Sequence, residues 1–283
     1  MSAQVVTPEL RQWIVEQARA GHKPEAVLAA MRGSGWDEDT AIKALEDTLQ
    51  VHLEDQSRAS GLLVPKRVPE PDLSTSRPVL MAGDREVKVL MALQHPRVVV
   101  FGGLLSDAEC DEIMGLAGAR LARSETVATA GDGSEINAAR TSEGMFFERG
   151  EHAVIQRLEA RIAALLDWPV LNGEGLQILR YRPGAEYQPH YDYFEPDHSS
   201  TPTILKRGGQ RVGTLVMYLN TPEAGGATTF PDIKLEVMPV KGNAVFFSYD
   251  RPHPMTLSLH GGAPVVAGEK WVATKWLREG RFD

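Results

Sequence analysis

Cysteine is almost absent from this 283-residue sequence, in which Cys110 is the single thiol, so the chain cannot form an intrachain disulfide. No apolar run reaches the roughly 18 residues that a membrane-spanning helix needs, so we expect no contact with a membrane. The first residues also lack the basic and apolar segments of a secretory signal peptide. Because a chain without disulfides or such a signal suits a reducing compartment, we expect a cytoplasmic protein.

Positive charge is scarce as well. Lysine and arginine number 30 against 38 aspartate and glutamate residues, which gives a net charge of −8. A surface that binds nucleic acid is basic, so we expect no nucleic-acid partner. Hydrophobic residues make up 42 % and charged residues 24 %. This composition is that of an ordinary globular protein, and the length allows one large domain and a small one.

Residues 1–55 carry the pattern of three short helices. Thr7 precedes a proline at the first helical position, Pro24 opens a second helix and Asp37 can cap a third. The stretch Ser34-Gly35-Trp36-Asp37 lies between the second and third helices, and the arrangement resembles the ubiquitin-associated three-helix module. The resemblance implies a protein-interaction module that binds a protein partner. A bundle that packs on the main domain or serves dimerisation is the alternative.

Residues 56–84 are polar and contain prolines at positions 65, 69, 71 and 78, which predicts a linker before a main domain over residues 85–283. Ser106 and Glu109 form a capping-box pattern, so a helix is expected from Asp107 to Gly118. Apolar residues at helical spacing predict a second helix from Glu151 to Asp167.

The rest of the main domain has the pattern of many short strands separated by glycine and proline turns. Such a pattern favours a sandwich or barrel with the two helices packed on one outer face, an α+β domain. The candidate strands are Val87–Leu93, Arg97–Phe101, Gln177–Tyr181, Gln188–Phe194, Gly213–Leu219, Leu235–Pro239, Asn243–Ser248, Met255–His260 and Lys270–Leu277.

A pair of possible metal ligands stands in one of these strands. Residues i and i+2 of a strand point to the same face, so His190 and Asp192 can aim an imidazole and a carboxylate at one point. His260 would complete two histidines and one carboxylate, the set that non-haem Fe(II) oxygenases use with three positions left open. His198 and His253 are rival ligands, but both fall in expected loops, and we expect them at the surface.

Lys270 follows His260 by ten residues and lies in an apolar strand. A lysine there places a cation where a second carboxylate of a cosubstrate would sit. The alternative is a solvated surface lysine, the commoner fate of this residue type.

Several sequence blocks in the same order resemble the prolyl 4-hydroxylase family of 2-oxoglutarate- and Fe(II)-dependent dioxygenases. The resemblance covers about residues 95–280 and implies a double-stranded β-helix, or jelly-roll, core. The blocks are RTSEGMF (140–146), LQILRYRPGAEYQPHYDYF (176–194), QRVGTLVMYLN (210–220), GGATTFP (225–231), KGNAVFF (241–247) and LHGGAPVVAGEKWVATKW (259–276).

The resemblance also implies roles for single residues. Tyr181 and Thr228 would join Lys270 in binding 2-oxoglutarate, although Tyr181 alone would also suit a core position. The substrate groove would be lined by Arg140, Ser142, Glu174, Tyr187, Arg211 and Trp276. Salt bridges are the alternative for Arg140 and Arg211, and core packing is the alternative for Trp276. Residues 124–139 would form a lid over the peptide, or else an ordinary loop.

The expected activity is that of a procollagen-proline 4-dioxygenase-like enzyme. It would use Fe(II), 2-oxoglutarate and O2, with L-ascorbate as reductant, to hydroxylate a proline-containing peptide or protein at C4, with formation of succinate and CO2. The same chemistry on a free amino acid or another side chain is the first alternative. A non-catalytic binding or scaffold protein is the second, and the complete ligand set together with Lys270 argues against it.

Overall fold

The computed structural model describes residues 4–123, 126–127, 134–135 and 141–283. The chain divides into two compact units, Met1–Pro65 and Lys66–Asp283. Within the described residues, no helix combines the length and the apolar character needed to cross a membrane.

The first unit consists of helices α1 (Pro8–Arg19), α2 (Pro24–Gly33) and α3 (Glu38–Ser60) around a small apolar core. Thr7 caps α1 by accepting from the amide of Leu10 at 3.3 Å, and Asp37 accepts from the amide of Thr40 at 3.1 Å. Helix α3 runs into the segment predicted as linker, because the first residue that stops it is Gly61, which adopts φ +69°.

The larger unit contains a nine-stranded sheet and a four-stranded sheet. The order in the larger sheet is β1-β2-β3-β14-β10-β17-β8-β7-β4, and in the smaller sheet it is β13-β12-β15-β9. The first group of strands is β1 (Val79–Ala82), β2 (Arg85–Leu93), β3 (Arg97–Gly102), β4 (Ala122–Arg123), β5 (Thr126–Val127), β6 (Ser134–Glu135), β7 (Glu143–Phe147), β8 (Leu176–Tyr181) and β9 (Tyr187–His190). The second group is β10 (Arg211–Tyr218), β11 (Ala224–Gly225), β12 (Thr228–Phe230), β13 (Leu235–Val237), β14 (Ala244–Ser248), β15 (His260–Gly262), β16 (Val265–Ala267) and β17 (Lys270–Arg278).

Two helices, α4 (Asp107–Gly118) and α5 (Ala153–Leu166), cover one face of the large sheet, and a short helix α6 spans Thr201–Leu205. The opposite face packs on the smaller sheet. Alternation along β17 shows the two layers, because Ala273 belongs to the helix-side core and Val272 to the core between the sheets. This arrangement of a helix-covered sheet facing a second sheet is the expected jelly-roll with packed helices.

Local signals in the sequence account for α4 in detail. The capping box is formed, since Glu109 donates its amide to Ser106 Oγ at 3.2 Å and accepts from the Ser106 amide at 2.8 Å. Helix α5 is shorter than expected by two residues at its start and one at its end. It ends before Asp167, which adopts the left-handed conformation that closes the last turn.

Three strand predictions differ from the structure. Residues Val79–Ala82, expected in the linker, form β1, the edge strand, because they pair with β2. The strand expected over Met255–His260 is instead a 3-10 turn at Pro254–Thr256, and β15 begins only at His260. The strand expected over Gln188–Phe194 ends at His190. Beyond it, the side-chain amide of Gln210 bonds both backbone groups of Phe194, at 2.8 Å each, and replaces a strand neighbour.

Candidate metal and cosubstrate site

A cavity opens between the two sheets. Its walls come from strands of both layers, and its polar lining includes Tyr181, Thr228 and Lys270 as well as the three predicted metal ligands. The sheets therefore bring together residues that are up to 89 positions apart, Tyr181 and Lys270 being direct partners across β8 and β17.

His190, Asp192 and His260 lie at one end of this cavity. One potential ligand atom from each residue falls within 4.8 Å of the other two. The two histidines are direct partners in the antiparallel pair of β9 and β15, with ring centroids 4.4 Å apart. The Asp192 carboxylate reaches both rings, at 3.5 Å from His190 Nε2 and 3.4 Å from His260 Nε2.

Backbone carbonyls orient both imidazoles in the same way. His190 Nδ1 lies 2.9 Å from the carbonyl of Gln188, and His260 Nδ1 lies 3.0 Å from the carbonyl of Ser258. A carbonyl only accepts, so each Nδ1 carries the proton and each Nε2 presents a lone pair toward the third ligand. The ring of Tyr187 stacks on His190 at 3.8 Å and further restricts its orientation.

The charge states at this end suit a divalent metal ion. Burial alone would raise the pKa of Asp192, but His260 and His190 hold it below its ordinary value, so the carboxylate is ionised. Burial lowers the pKa of His260 to about 4, which leaves that imidazole neutral near pH 7. Metal ligands must be deprotonated, and both groups meet this condition.

Lys270 lies within the same cavity and is only 4 % exposed. Its Nζ lies 5.5 Å from the ring centroid of Tyr181 and 5.9 Å from that of Tyr218. In the part of the chain that the structure describes, no carboxylate forms a salt bridge with it. Burial lowers the pKa of Lys270 to about 8. The Tyr218 hydroxyl donates to Thr228 Oγ1 at 2.8 Å and holds that side chain on the cavity wall.

The predicted groove residues have different environments. Glu174 is buried, and its carboxylate accepts from Arg211 at 2.6 and 2.9 Å and from Arg278 at 2.7 Å. The salt-bridge alternative therefore describes Arg211, and neither Arg211 nor Glu174 is part of the cavity lining. Substrate contact by Arg211 and Glu174 stays a prediction.

The other groove residues divide into three kinds. Trp276 and Tyr187 line the cavity, and the guanidinium of Arg211 lies 4.0 Å from the ring centroid of Trp276. Ser142 is buried just before β7 and is not part of that lining. Arg140 lies outside the described residues, as does most of the predicted lid at residues 124–139.

The rival histidines do not join the metal ligands. His198 Nδ1 pairs with the hydroxyl of Ser200 at 2.9 Å, and His253 Nδ1 accepts from the amide of Met255 at 3.1 Å. Each of these histidines forms its hydrogen bond within its own loop.

Two residues of this site were missed by the sequence analysis. Thr214 donates to Asp192 Oδ2 at 2.7 Å, and the hydroxyl of Tyr249 lies 3.0 Å from Thr214 Oγ1. The available signal was the alternation of β10, which places Thr214 on the same face as Val216 and Tyr218. A polar residue at a core-facing position of a central strand needs a partner, and that partner is the metal ligand.

The fold and the donor set define a class of protein. Two imidazoles and one carboxylate in a jelly-roll cavity are typical of the non-haem Fe(II) oxygenases. The family described as the 2OG-Fe(II) oxygenase superfamily matches residues 176–278.

Comparison with full-length relatives narrows this class. Prolyl 4-hydroxylase 5 of Arabidopsis thaliana is 38 % identical over 221 residues, covering 71 % of this chain and 74 % of the relative. Prolyl 4-hydroxylase 2 of the same plant is 36 % identical over 219 residues, with 69 % and 72 % covered. A viral collagen prolyl hydroxylase from Paramecium bursaria Chlorella virus-1, solved as a 2OG complex, superposes with a TM-score of 0.51 at 32 % identity, covering 64 % of this chain and 95 % of that one. The chain belongs to the prolyl 4-hydroxylase family.

Proposed function

We propose that this protein is a 2-oxoglutarate- and Fe(II)-dependent dioxygenase that hydroxylates prolyl residues of a peptide or protein at C4, with formation of succinate and CO2. The observation that carries the proposal is the pairing of two features in one cavity. Three metal ligands lie at one end, and a buried lysine, to which the described residues offer no carboxylate partner, lies within reach of the same space.

His190, Asp192 and His260 would hold the iron. Their donor atoms suit Fe(II), because two imidazoles and one carboxylate leave positions open for a cosubstrate and O2. When bound, the iron would activate O2, which is the oxidant both for decarboxylation of the 2-oxo acid and for hydroxylation. The protein supplies the orientation, through the Gln188 and Ser258 carbonyls that fix both rings.

Lys270, with the hydroxyls of Tyr181 and Thr228, would bind the distal carboxylate of 2-oxoglutarate. An unpaired charge in a dry interior is costly, so a buried ammonium without a partner favours an anionic ligand. The two hydroxyls add donors for the remaining lone pairs of that carboxylate. The cavity thus offers a cation, hydroxyl donors and a metal site in one space, as a 2-oxo dicarboxylic acid requires.

A proline-containing peptide would lie against aromatic side chains at the cavity. Trp276 and Tyr187 line it, and Phe146, 48 % exposed, has its ring centroid 6.4 Å from that of Trp276. The indole N–H of Trp276 is buried and has no hydrogen-bond partner among the described residues, which leaves a donor for a peptide carbonyl. Arg140 and Ser142 remain proposed substrate contacts. Arg211, paired with Glu174, would pack its guanidinium on the ring of Trp276.

The direct test supplies the purified protein with Fe(II), 2-oxoglutarate and ascorbate, and compares proline-containing peptides with free proline. Succinate formation and the gain of one oxygen atom by the peptide are measured together. We expect turnover with peptides and none above background with free proline. Asp192→Ala should abolish turnover while the far-UV circular dichroism stays unchanged. Turnover with free proline alone would favour the amino-acid alternative.

We propose that ascorbate sustains repeated turnover. We also propose that the protein works in the cytoplasm, in keeping with its single buried thiol.

We also propose that the N-terminal unit docks a protein target. Deleting Met1–Pro65 tests this role. Hydroxylation of a short peptide should persist, and hydroxylation of a full-length protein target should fall. Equal activity of the two forms on both substrates would refute the docking role.

A further inference from the structure

Two buried hydroxyls connect the centre of the large sheet to the metal ligand Asp192. Thr214 on β10 is fully buried, and Tyr249, directly after β14, is 1 % exposed. Strands β10 and β14 are neighbours, with Thr214 opposite Phe247 in the register. Thr214 Oγ1 lies 2.7 Å from Asp192 Oδ2 and 3.0 Å from the Tyr249 hydroxyl. The three groups form a line from the core to the metal site.

The direction of the hydrogen bonds in this line is fixed by chemistry. An ionised carboxylate only accepts, so the single hydroxyl proton of Thr214 goes to Asp192. Thr214 Oγ1 is then an acceptor toward Tyr249, which must donate. Burial raises the pKa of Tyr249 well above its ordinary value, so the phenol keeps the proton that it donates. Only one arrangement of protons satisfies all three groups.

Asp192 needs such an anchor because the strand does not hold it. Strand β9 ends at His190, so the ladder hydrogen bonds that fix a strand residue stop two positions earlier. Oδ1 lies 3.5 Å from His190 Nε2, and Oδ2 lies 3.4 Å from His260 Nε2. Among the described residues, Thr214 provides the one hydroxyl hydrogen bond to this carboxylate. A rotation of the carboxylate would break that bond.

We propose that Thr214, oriented by Tyr249, is a positioning residue that sets the rotation of the Asp192 carboxylate for metal binding. The proposal rests on the proposed function, in that Asp192 is taken as a metal ligand. It goes beyond that function by assigning a task to two residues that do not touch metal or substrate. Partners that orient metal ligands typically contribute about 10- to 100-fold to metal affinity or activity when they are removed.

The test measures the affinity for Co(II) alone by its visible absorption, without 2-oxoglutarate, peptide or O2. Thr214→Val removes the hydroxyl at nearly constant volume, and we expect the Kd for Co(II) to rise about 10- to 100-fold with a changed absorption band. Thr214→Ser keeps the hydroxyl, so its Kd for Co(II) and its absorption band should match those of the unmodified protein. Tyr249→Phe should give a smaller rise. The double variant Thr214→Val/Tyr249→Phe should have the same Kd for Co(II) as Thr214→Val, because Tyr249 acts only through Thr214.

Thr201→Val is the matched control. Thr201 is also buried, and its hydroxyl also donates a single hydrogen bond at 2.7 Å, but to the backbone carbonyl of Glu195. We expect its Kd for Co(II) to equal that of the unmodified protein. Equal losses in Thr201→Val and Thr214→Val would overturn the proposal, because a general loss of packing would then be sufficient.

Two further outcomes would contradict the assignment. An unchanged Kd in Thr214→Val refutes the positioning role, and an additive double variant refutes the relay through Tyr249. If Thr214→Val does not fold, Tyr249→Phe and Thr214→Ser keep the test intact, since an unchanged Kd in Tyr249→Phe refutes the relay. Absence of Co(II) binding by the unmodified protein would overturn the metal site itself and with it the proposed function, a result distinct from the others.

Discussion

Two lysines on strand β17 have similar burial and opposite environments. Lys270 is 4 % exposed and Lys275 is 2 % exposed. Their separation of five residues places them on opposite faces of the strand. Lys275 faces the helices, where it donates to the carboxylate of Glu159 and to the carbonyl of Glu174. Lys270 faces the cavity, where the described part of the chain offers it no carboxylate.

The two lysines differ in whether a group of the fold balances their charge. Burial lowers the pKa of both lysines, but Glu159 opposes the effect at Lys275, while burial is the sole cause at Lys270. A buried charge with a partner in the fold is part of the structure. A buried charge without a partner in the fold lowers the stability of the folded state unless a ligand of opposite charge binds to it. The following predictions test this difference between the two residues.

The largest expected effect follows Lys270→Met. Removing one partner of a buried charge pair costs about 3–5 kcal/mol, so the KM for 2-oxoglutarate should rise by on the order of 100-fold or more. The KM for a proline-containing peptide should stay within about twofold, since the peptide does not meet this charge. Steady-state kinetics with each substrate varied in turn measures both. An equal rise in the two values would remove Lys270 from the cosubstrate pocket.

Lys275→Met should affect stability instead. It leaves the carboxylate of Glu159 buried without its cation, which should lower the free energy of unfolding by about 3–5 kcal/mol. Urea unfolding measures this loss. The double variant Lys275→Met/Glu159→Leu should recover most of it, because no charge is then left unpaired. The folded fraction should keep its affinity for 2-oxoglutarate, and a weakened affinity would show that the two lysines do not have separate tasks.

The pH dependence of 2-oxoglutarate binding should report Lys270. Only the ammonium form pairs with the carboxylate, and the pKa of Lys270 in the free protein is about 8. The KM for 2-oxoglutarate should therefore be flat below that pH and rise toward about tenfold per pH unit above it. Lys270→Arg is the matched control, since a guanidinium stays charged and should abolish the rise. A rise that persists in Lys270→Arg would assign it to another group.

The smallest effect concerns stability without ligand. Because the folded-state pKa of Lys270 lies below that of an unfolded lysine, the unfolded chain binds more protons between about pH 8 and 10.5, and Lys270 destabilises the fold below that range. Lys270→Met should thus raise the free energy of unfolding at pH 7 by about 1–3 kcal/mol. The gain should vanish above about pH 10.5, where both states of the lysine are neutral. A gain that is independent of pH would point to packing.

The sequence predicted those features that depend on local pattern. The capping box at Ser106 predicted α4, and apolar neighbours favoured a buried Lys270. His190 and Asp192 do lie together, but Asp192 is outside the strand on which that prediction was based. These signals lie within a few residues of one another. The resemblance to a family added the jelly-roll topology, which no local pattern contains.

The features that were missed depend on contacts between distant strands. Thr214 and Tyr249 are 35 positions apart and meet only through the register of β10 and β14. Glu174 and Arg278 are 104 positions apart, so spacing in the sequence could not predict their ion pair. Gln210, which bonds the backbone of Phe194 beyond the end of β9, lies in another segment. In each case the partner is determined by the tertiary fold.

The central claim is tested most directly by stoichiometry. The protein is supplied with Fe(II), 2-oxoglutarate, O2 and a proline-containing peptide, and succinate and hydroxyproline are quantified in the same samples. We expect equal molar amounts of both, and neither product from Asp192→Ala. Succinate without hydroxyproline, or no succinate from the iron-loaded protein, would contradict it.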